Sequence, residues 1–309
     1  MSRKLASIRR SGRGLAALAA AAGAVLAASA TLAQGRFTYR PPDSTSFVET
    51  TTTRTSNFGP ARKSVSTLRG KMRRTIKKTA NGYTIAETLT SCTYALNGRT
   101  VENPLFSSLV GATVSYDVDA KGAIRNIRGF QEIGKRASKA LPPQAGAQLS
   151  GFEKEMADEL KRDWRGTIGM FVGQPARPGQ TWKSTESVSL PLGGTAVVPA
   201  VTRCVGVVRQ GGRSCLRLRA SYNDRATTKK QLEKRLRPGA RPVGGAKAGA
   251  KVLAAQASGT REWIVDPLTM LVFHKAENSS VTMTIAVPGQ KPIKGTFTSR
   301  TEEKYSYRK

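Results

Sequence analysis

From Thr45 to the C-terminus, apolar and β-branched residues recur at every second position in run after run, and short turn signals separate the runs. A period of two sends successive side chains to opposite faces of a pleated strand, so such a chain has to pair its runs into sheet with one side buried. The runs TSFVETTTTRTSNF, SVSTLRGKMRRTIKK and YTIAETLTSCTYAL come first, and Asn81-Gly82 between the last two fits a two-residue hairpin turn. VSYDVDAKGAIRNIRGF is a second hairpin, with Val114, Tyr116 and Val118 on one face, Asp119 opening the turn and Gly122 taking a left-handed position. After GQTWKSTESVSL comes CVGVVRQGGRSCLRL, where Gly211-Gly212 sets residue 210 against 213 and 208 against 215. This register places Val205, Val207, Leu216 and Leu218 on the buried side and the cysteines with Arg217 and Arg219 on the other. GTREWIVDP, MLVFHKAENSS, VTMTIAVPGQ and KGTFTSRTEEKYSYR complete about eleven or twelve strands. Tyr116-x-Val118-Asp119 is echoed by Trp263-x-Val265-Asp266, a faint sign of two β halves.

Between those halves the period changes. Leu149, Phe152, Met156, Leu160 and Trp164 recur at three- and four-residue steps, one stripe of an amphipathic helix over about 144–170. Ser150 is placed to cap it, and acids load its first turns. The stripe is expected to pack on the sheet; lining a ligand pocket is the alternative use. The fold class is therefore α+β, mainly antiparallel β, built on one long helix.

Ahead of the strands, residues 14–34 form an Ala-rich apolar run behind Arg3, Lys4, Arg9, Arg10 and Arg13, with no acid in the first 42 residues. Its length and weak hydrophobicity suit a cleaved export signal better than a retained anchor, and Thr31-Leu32-Ala33 puts the cut after Ala33. No cysteine stands there to be lipidated, so the expectation is a periplasmic or extracellular protein, not a lipoprotein. Residues 34–309 read as a single β-rich domain, opening with a loose Pro- and Arg-containing lead over 35–45.

The chain carries 51 basic and 20 acidic residues; five of the basic ones and no acid lie in 1–33, so the remainder keeps a charge of +26. Such an excess predicts attraction to polyanions, which outside the cytoplasm means anionic lipid head groups or envelope polymers. Residues 224–258, a Pro- and Gly-interrupted segment without a continuous apolar face, hold nine basic residues and two acids and are read as a short helix followed by a flexible insertion. Lys229, Lys230, Lys234, Arg235, Arg237 and Arg241 fall within 13 residues there and are the candidates for anionic-surface binding. The segment has no aromatics for base stacking, so no specific nucleic-acid partner is expected.

Catalytic and cofactor signals are absent. His274 is the only histidine and has no cysteine at ligand spacing, which excludes the usual zinc sites, and no Gly-x-Ser-x-Gly elbow supports a triad on it. The glycines of 239–249 open no phosphate-binding helix, so no cofactor is expected. Carboxylate-only hydrolysis would need Glu87, Asp117, Asp119 and Asp266 to meet; the protein is read as no enzyme. In the predicted register Cys204 and Cys215 lie on the order of 13 Å apart and cannot pair; Cys92 with either of them, or three free thiols, remain the options.

VDAKGAI, the single helix, FVGQPARPGQTWKSTES and REWIVDPLTMLV together resemble exported β-rich bacterial envelope families, distantly similar to the lipoprotein-carrier (LolA-like) superfamily. The resemblance implies a strongly curved sheet or half-barrel around the helix and carriage of an apolar or lipid-like ligand. It departs at Met270, where such families often have Gly late in the turn. The reading is thus a noncatalytic envelope protein with an apolar ligand, against a structural or interaction module with a filled core. A carrier needs an apolar cavity of about 300 Å³ or more; a scaffold does not.

Overall fold

The computed structural model of the protein describes residues 35–58, 63–140, 151–191, 195–236 and 250–308. Twelve strands form one antiparallel sheet: β1 (Ser44–Phe58), β2 (Ser64–Thr79), β3 (Gly82–Leu96), β4 (Arg99–Val101), β5 (Thr113–Asp119), β6 (Ile124–Arg128), β7 (Thr181–Ser189), β8 (Thr195–Gln210), β9 (Arg213–Asp224), β10 (Lys251–Val265), β11 (Val272–Ala286) and β12 (Ile293–Arg308). The order across the sheet is β6-β5-β3-β2-β1-β12-β11-β10-β9-β8-β7, with β4 added beside β3. The first and last strands are therefore neighbours, in register from Thr45↔Arg308 to Phe58↔Gly295. One wing of the sheet grows from β1 and the other from β12.

The sheet curls without closing. Extra residues in one strand of a pair interrupt the register between Lys71 and Met72, Cys204 and Gly206, Val252 and Ala254, and Ile264 and Val265, and each such bulge bends its strand and deepens the twist. Ser189 and Leu190, at the end of β7, come to line the same cavity as Ser64 and Ser66 of β2, although seven strand-to-strand steps separate the two in the sheet. Among the described residues no ladder joins β7 to β6.

Turn chemistry accounts for the hairpins. Gly211 and Gly212 both have positive φ, 57° and 76°, and Gln210 faces Arg213. Asp119 accepts hydrogen bonds from the amides of Lys121 (3.0 Å) and Ala123 (2.9 Å). Its echo Asp266 accepts from the amide of Leu268 (2.9 Å) and the hydroxyl of Thr269 (2.9 Å). Met270 holds φ 59° in that second turn where Gly122 holds 78° in the first, so the non-glycine residue accepts the left-handed conformation while its side chain is buried. The β2–β3 link differs from the expected Asn-Gly turn. Thr79 pairs with Gly82, leaving Ala80-Asn81 as the two loop residues; Gly82 is required because a Cβ there would strike the carbonyl oxygen of Val118 on β5.

The register of β8 and β9 also needs correction beyond the turn. Val208 faces Cys215 as expected, but the bulge at Val205 sets Cys204 against Leu218 rather than Arg219. Cys204 is consequently buried with Leu216 and Leu218, while Val205 is exposed. A one-residue slip exchanges faces because the side-chain period is two. All three cysteines are free thiols, and burial pushes Cys204 and Cys215 up to about 11.

Among the described residues there are four α-helices instead of one long one: α1 (Pro104–Leu109), α2 (Phe130–Ala140), α3 (Phe152–Trp164) and α4 (Ala226–Leu236). Gly151, at φ 87°, precedes α3 and takes the cap position expected of Ser150; Leu149 and Ser150 lie outside the described residues. A wider π turn, Arg165–Gly169, extends α3. The short helix expected at the start of the basic segment is α4, but β10 begins at Lys251, before the expected end of that segment at 258. None of the described helices is long and apolar enough to cross a membrane.

Two apolar cores occupy the concave side. The first is rich in rings: Tyr116, Trp164, Phe171 and Trp263 pack edge to face, with centroids 5.7 Å apart for Tyr116–Trp164 and 5.1 Å for Phe171–Trp263. The N-terminal lead, expected to be loose, is pinned into it. Phe37 and Tyr39 are buried, and the Phe37 amide donates to the Gln174 carbonyl at 2.9 Å. The second core is aliphatic, made of Val188, Val198, Ala255, Ala257, Met283 and their neighbours, with Leu232 of α4 fully buried against them.

Candidate binding groove

Strand phase decides what lies between the cores. Arg261 is two residues from Trp263 and four from Val265 in β10, both fully buried, so it too points inward. Unbroken ladders carry this phase across β1, β12, β11 and β10 and set the inner residues in rows. Thr50, Glu303, Lys275 and Trp263 form the first row; Thr52, Thr301, Glu277 and Arg261 the second; Arg54, Ser299, Ser279 and Gly259 the third; Ser56, Phe297, Val281 and Ala257 the fourth. The chemistry thus passes from ring and ion pair through charge and hydroxyl to a mixed row of Ser56, Phe297, Val281 and Ala257.

Three adjoining cavities follow the rows. The first, of 170 Å³, lies between the first row and Leu160, Trp164 and Ile168 of the α3 segment. A central one of 150 Å³ is bounded by the second and third rows and by Glu159, Arg162 and Asp163 of α3. The third, of 260 Å³, is bounded by the third and fourth rows and by Leu190 and Pro191 beyond β7, with Thr55, Ser64, Ser66, Ser189 and Thr298 adding hydroxyls to its wall. Asp163 is common to the first two, and Arg54, Ser189, Ser279 and Ser299 to the last two, so the three form one groove. None of them alone reaches the roughly 300 Å³ of a typical small-molecule site.

The buried charges of this groove are paired. In the first cavity Arg74 donates to Glu87 at 2.6 Å, Tyr116 donates to the same carboxylate at 3.2 Å, Lys275 donates to Glu303 at 2.8 Å and Tyr305 donates to Glu303 at 2.6 Å. Burial alone would raise the Glu303 carboxyl, but Lys275 and Tyr305 outweigh it and hold it below the usual range. In the same way Glu87 keeps Arg74 charged against its burial. The guanidinium of Arg261 divides itself between Glu277 (2.7 Å) and Glu186 of β7 (2.8 Å). Glu186 is wholly buried and neither of its oxygens has an aligned hydrogen-bond donor. Burial therefore pushes its carboxyl up, to about 7, against the pull of the shared arginine.

The sequence-predicted residues divide. Leu160 and Trp164 of the helical stripe reach the first cavity, and the Trp164 indole donates to the Gly122 carbonyl at 2.7 Å, tying α3 to the β5–β6 turn. Met156 is half-buried; Phe152 is in α3, but its side chain lies outside the described residues, as does all of Leu149. Lys229, Lys230 and Lys234 lie on α4, with Lys229 3.8 Å from Glu233. Arg235 lies in the same helix with its side chain outside the described residues; Arg237 and Arg241 are wholly outside them. The four carboxylates do not meet. Glu87 faces the groove, Asp117 pairs with Arg128 from the opposite face of β5, and Asp119 and Asp266 close turns. His274 lies 3.4 Å from Glu302, in positions alternate to the inward Lys275 and Glu303.

Arg54, Arg162, Glu186, Arg261 and Glu277 were not singled out by their sequence patterns. The signal was present, since Arg261 and Glu186 are in phase with buried apolar residues two positions away, Trp263 and Val188.

No family model matches the chain, and no curated protein matches it. Among solved structures it is similar to one titled "Lipid-protein interactions in lipovitellin", at 12% identity and a TM-score of 0.42, over 86% of this chain and 25% of that one. The chain thus spans about a quarter of that protein's length.

Proposed function

We propose that this chain is an exported, noncatalytic envelope protein that holds an amphiphilic ligand in the groove of its curved sheet and is drawn to anionic envelope surfaces by its basic excess. The observation that carries the binding reading is the continuous groove, whose central polar cavity runs through Arg54, Ser279 and Ser299 into a larger one with Phe297, Val281, Leu190 and Pro191 in its wall. A sheet serving only as a scaffold has no need of adjoining cavities along its inner rows, and close packing would fill them. Their size favours a single apolar chain over a bulky lipid, which narrows the lipid-like ligand suggested by the sequence. Export rests on the cationic, Ala-rich N-terminal segment ending at Ala33. Attraction to head groups or polymers rests on the formal charge of +26 that remains after residue 33.

Mass spectrometry of organic extracts of the protein purified from its host envelope tests the reading. A stoichiometric amphiphile supports it. Protein that arrives empty, takes up no alkyl probe and sediments with anionic and neutral liposomes alike is a scaffold instead. N-terminal sequencing of the same material tests the cut after Ala33.

A further inference from the structure

The charges that rim the central cavity and lack ion-pair partners are ordered along it. Arg261 and Glu277 neutralise each other, but Arg54 and Arg162 enter no ion pair among the described residues, nor do Glu159 and Asp163. Their places are not interchangeable. Arg54 is shared with the larger cavity, where Phe297, Val281, Leu190 and Pro191 stand among serine and threonine hydroxyls, whereas Asp163 is shared with the ring-lined cavity at the other end. Passing out of this larger cavity, a ligand meets the Arg54 guanidinium and the hydroxyls of Ser279 and Ser299 first, and the Asp163 carboxylate later. Guanidinium and hydroxyl donors suit a phosphate or carboxylate, and a carboxylate beside aromatic rings suits an ammonium.

We infer that the groove selects a zwitterionic, single-chain amphiphile whose anionic group lies nearer the tail than its cationic group, as in an alkyl phosphoethanolamine. Arg54 holds the phosphate, Asp163 the ammonium, and the apolar patch of Phe297, Val281, Leu190 and Pro191 the start of the chain. This rests on the groove being a binding site and adds the polarity of what fills it. The volume of 260 Å³ in the larger cavity admits one chain rather than two.

Titration calorimetry of the full chain, below micellar concentrations, tests the assignment with decyl phosphoethanolamine, decyl phosphate, decylammonium, decanol and tail-free phosphoethanolamine. The expected order is phosphoethanolamine amphiphile, alkyl phosphate, alcohol, with about tenfold or more between first and last, and no binding of the tail-free head group. Arg54→Gln is expected to weaken both phosphate-bearing amphiphiles about tenfold while leaving decanol unchanged. Asp163→Asn is expected to reduce the zwitterion to the level of the alkyl phosphate. Equal binding of all four decyl probes overturns the head-group assignment and leaves the groove standing. Tail-free phosphoethanolamine binding as tightly as its decyl form overturns the amphiphile, and no binding of any probe overturns assignment and groove together.

Discussion

The two cores are carried on one sheet, yet they are built on opposite plans. At the ring-lined end, Trp164, Phe171, Tyr116 and Trp263 interlock, Phe37 and Tyr39 thread in from the N-terminal lead, and α3 is bonded to the β5–β6 turn. At the aliphatic end the inner rows carry Ala257, Ala255 and Gly295, and among α4's described side chains Leu232 is the large apolar one that is fully buried. Large rings fill volume with few rotatable bonds and give a directional fit, whereas alanine and valine leave room. The largest cavity of the groove opens beside this end, where Phe297, Val281, Leu190 and Pro191 stand among serine and threonine hydroxyls. The contrast shows where this protein spends side-chain volume on rigidity and where it keeps space.

Trp164→Ala gives the sharpest test of that contrast and the largest expected effect. It removes a buried indole together with its hydrogen bond to Gly122, at a cost of about 4 kcal/mol in chemical denaturation. Leu232→Ala follows at about 3 kcal/mol, with hydrogen exchange rising first in α4 and β8 rather than across the sheet. Equal losses and identical exchange patterns would mean that the two ends form one cooperative body and the comparison is empty.

A smaller effect concerns the belt between the cores. Burial raises Glu186 from 4.5 to about 7, so the folded state holds this proton more tightly than the unfolded chain. Its contribution to stability is therefore full below about pH 4.5 and is lost as pH rises through about 7. Glu186→Gln is expected to remove this slope from the dependence of melting temperature on pH. Asp117 works in the opposite direction and in another window, since Arg128 holds it down at about 2 and its contribution is lost only as pH falls from about 3.8 toward 2. Persistence of the slope between pH 4.5 and 7 in the Gln variant would assign it to other groups. Met270→Gly carries the smallest expected effect. Relief of the left-handed backbone returns about 1 kcal/mol, while loss of a buried methionine costs about 2–3 kcal/mol. The net destabilisation of about 1–2 kcal/mol should be readable by urea titration.

How much of this was legible residue by residue follows from range. Gly211-Gly212 and Asp119 announced their turns because all the interactions of a turn lie within a few positions. The stripe through Leu160 and Trp164 likewise announced α3, and Phe130, Ile133 and Ala137 held a comparable, unread signal for α2. The bulge at Val205 was not legible. CVGVVRQ alternates as an ordinary strand would, and only its pairing with β9 shows which residue is extra. The groove was still less so. Glu186, Arg261 and Glu277 belong to β7, β10 and β11, each a plausible half-polar strand, and their meeting depends on register carried through five strands and on curvature made by bulges. Parity with buried neighbours marks such residues as inward-facing but does not say whom they will face.

The missing ladder between β6 and β7 bears on capacity. In a closed barrel, strand number and stagger fix the bore, so widening it means breaking hydrogen bonds. Here no ladder among the described residues joins β7 to β6, and residues from the ends of β7, β1 and β2 line one cavity, so its girth can grow by moving Ser189 and Leu190 away from Ser64 and Ser66 while every rung of the twelve-stranded ladder stays intact.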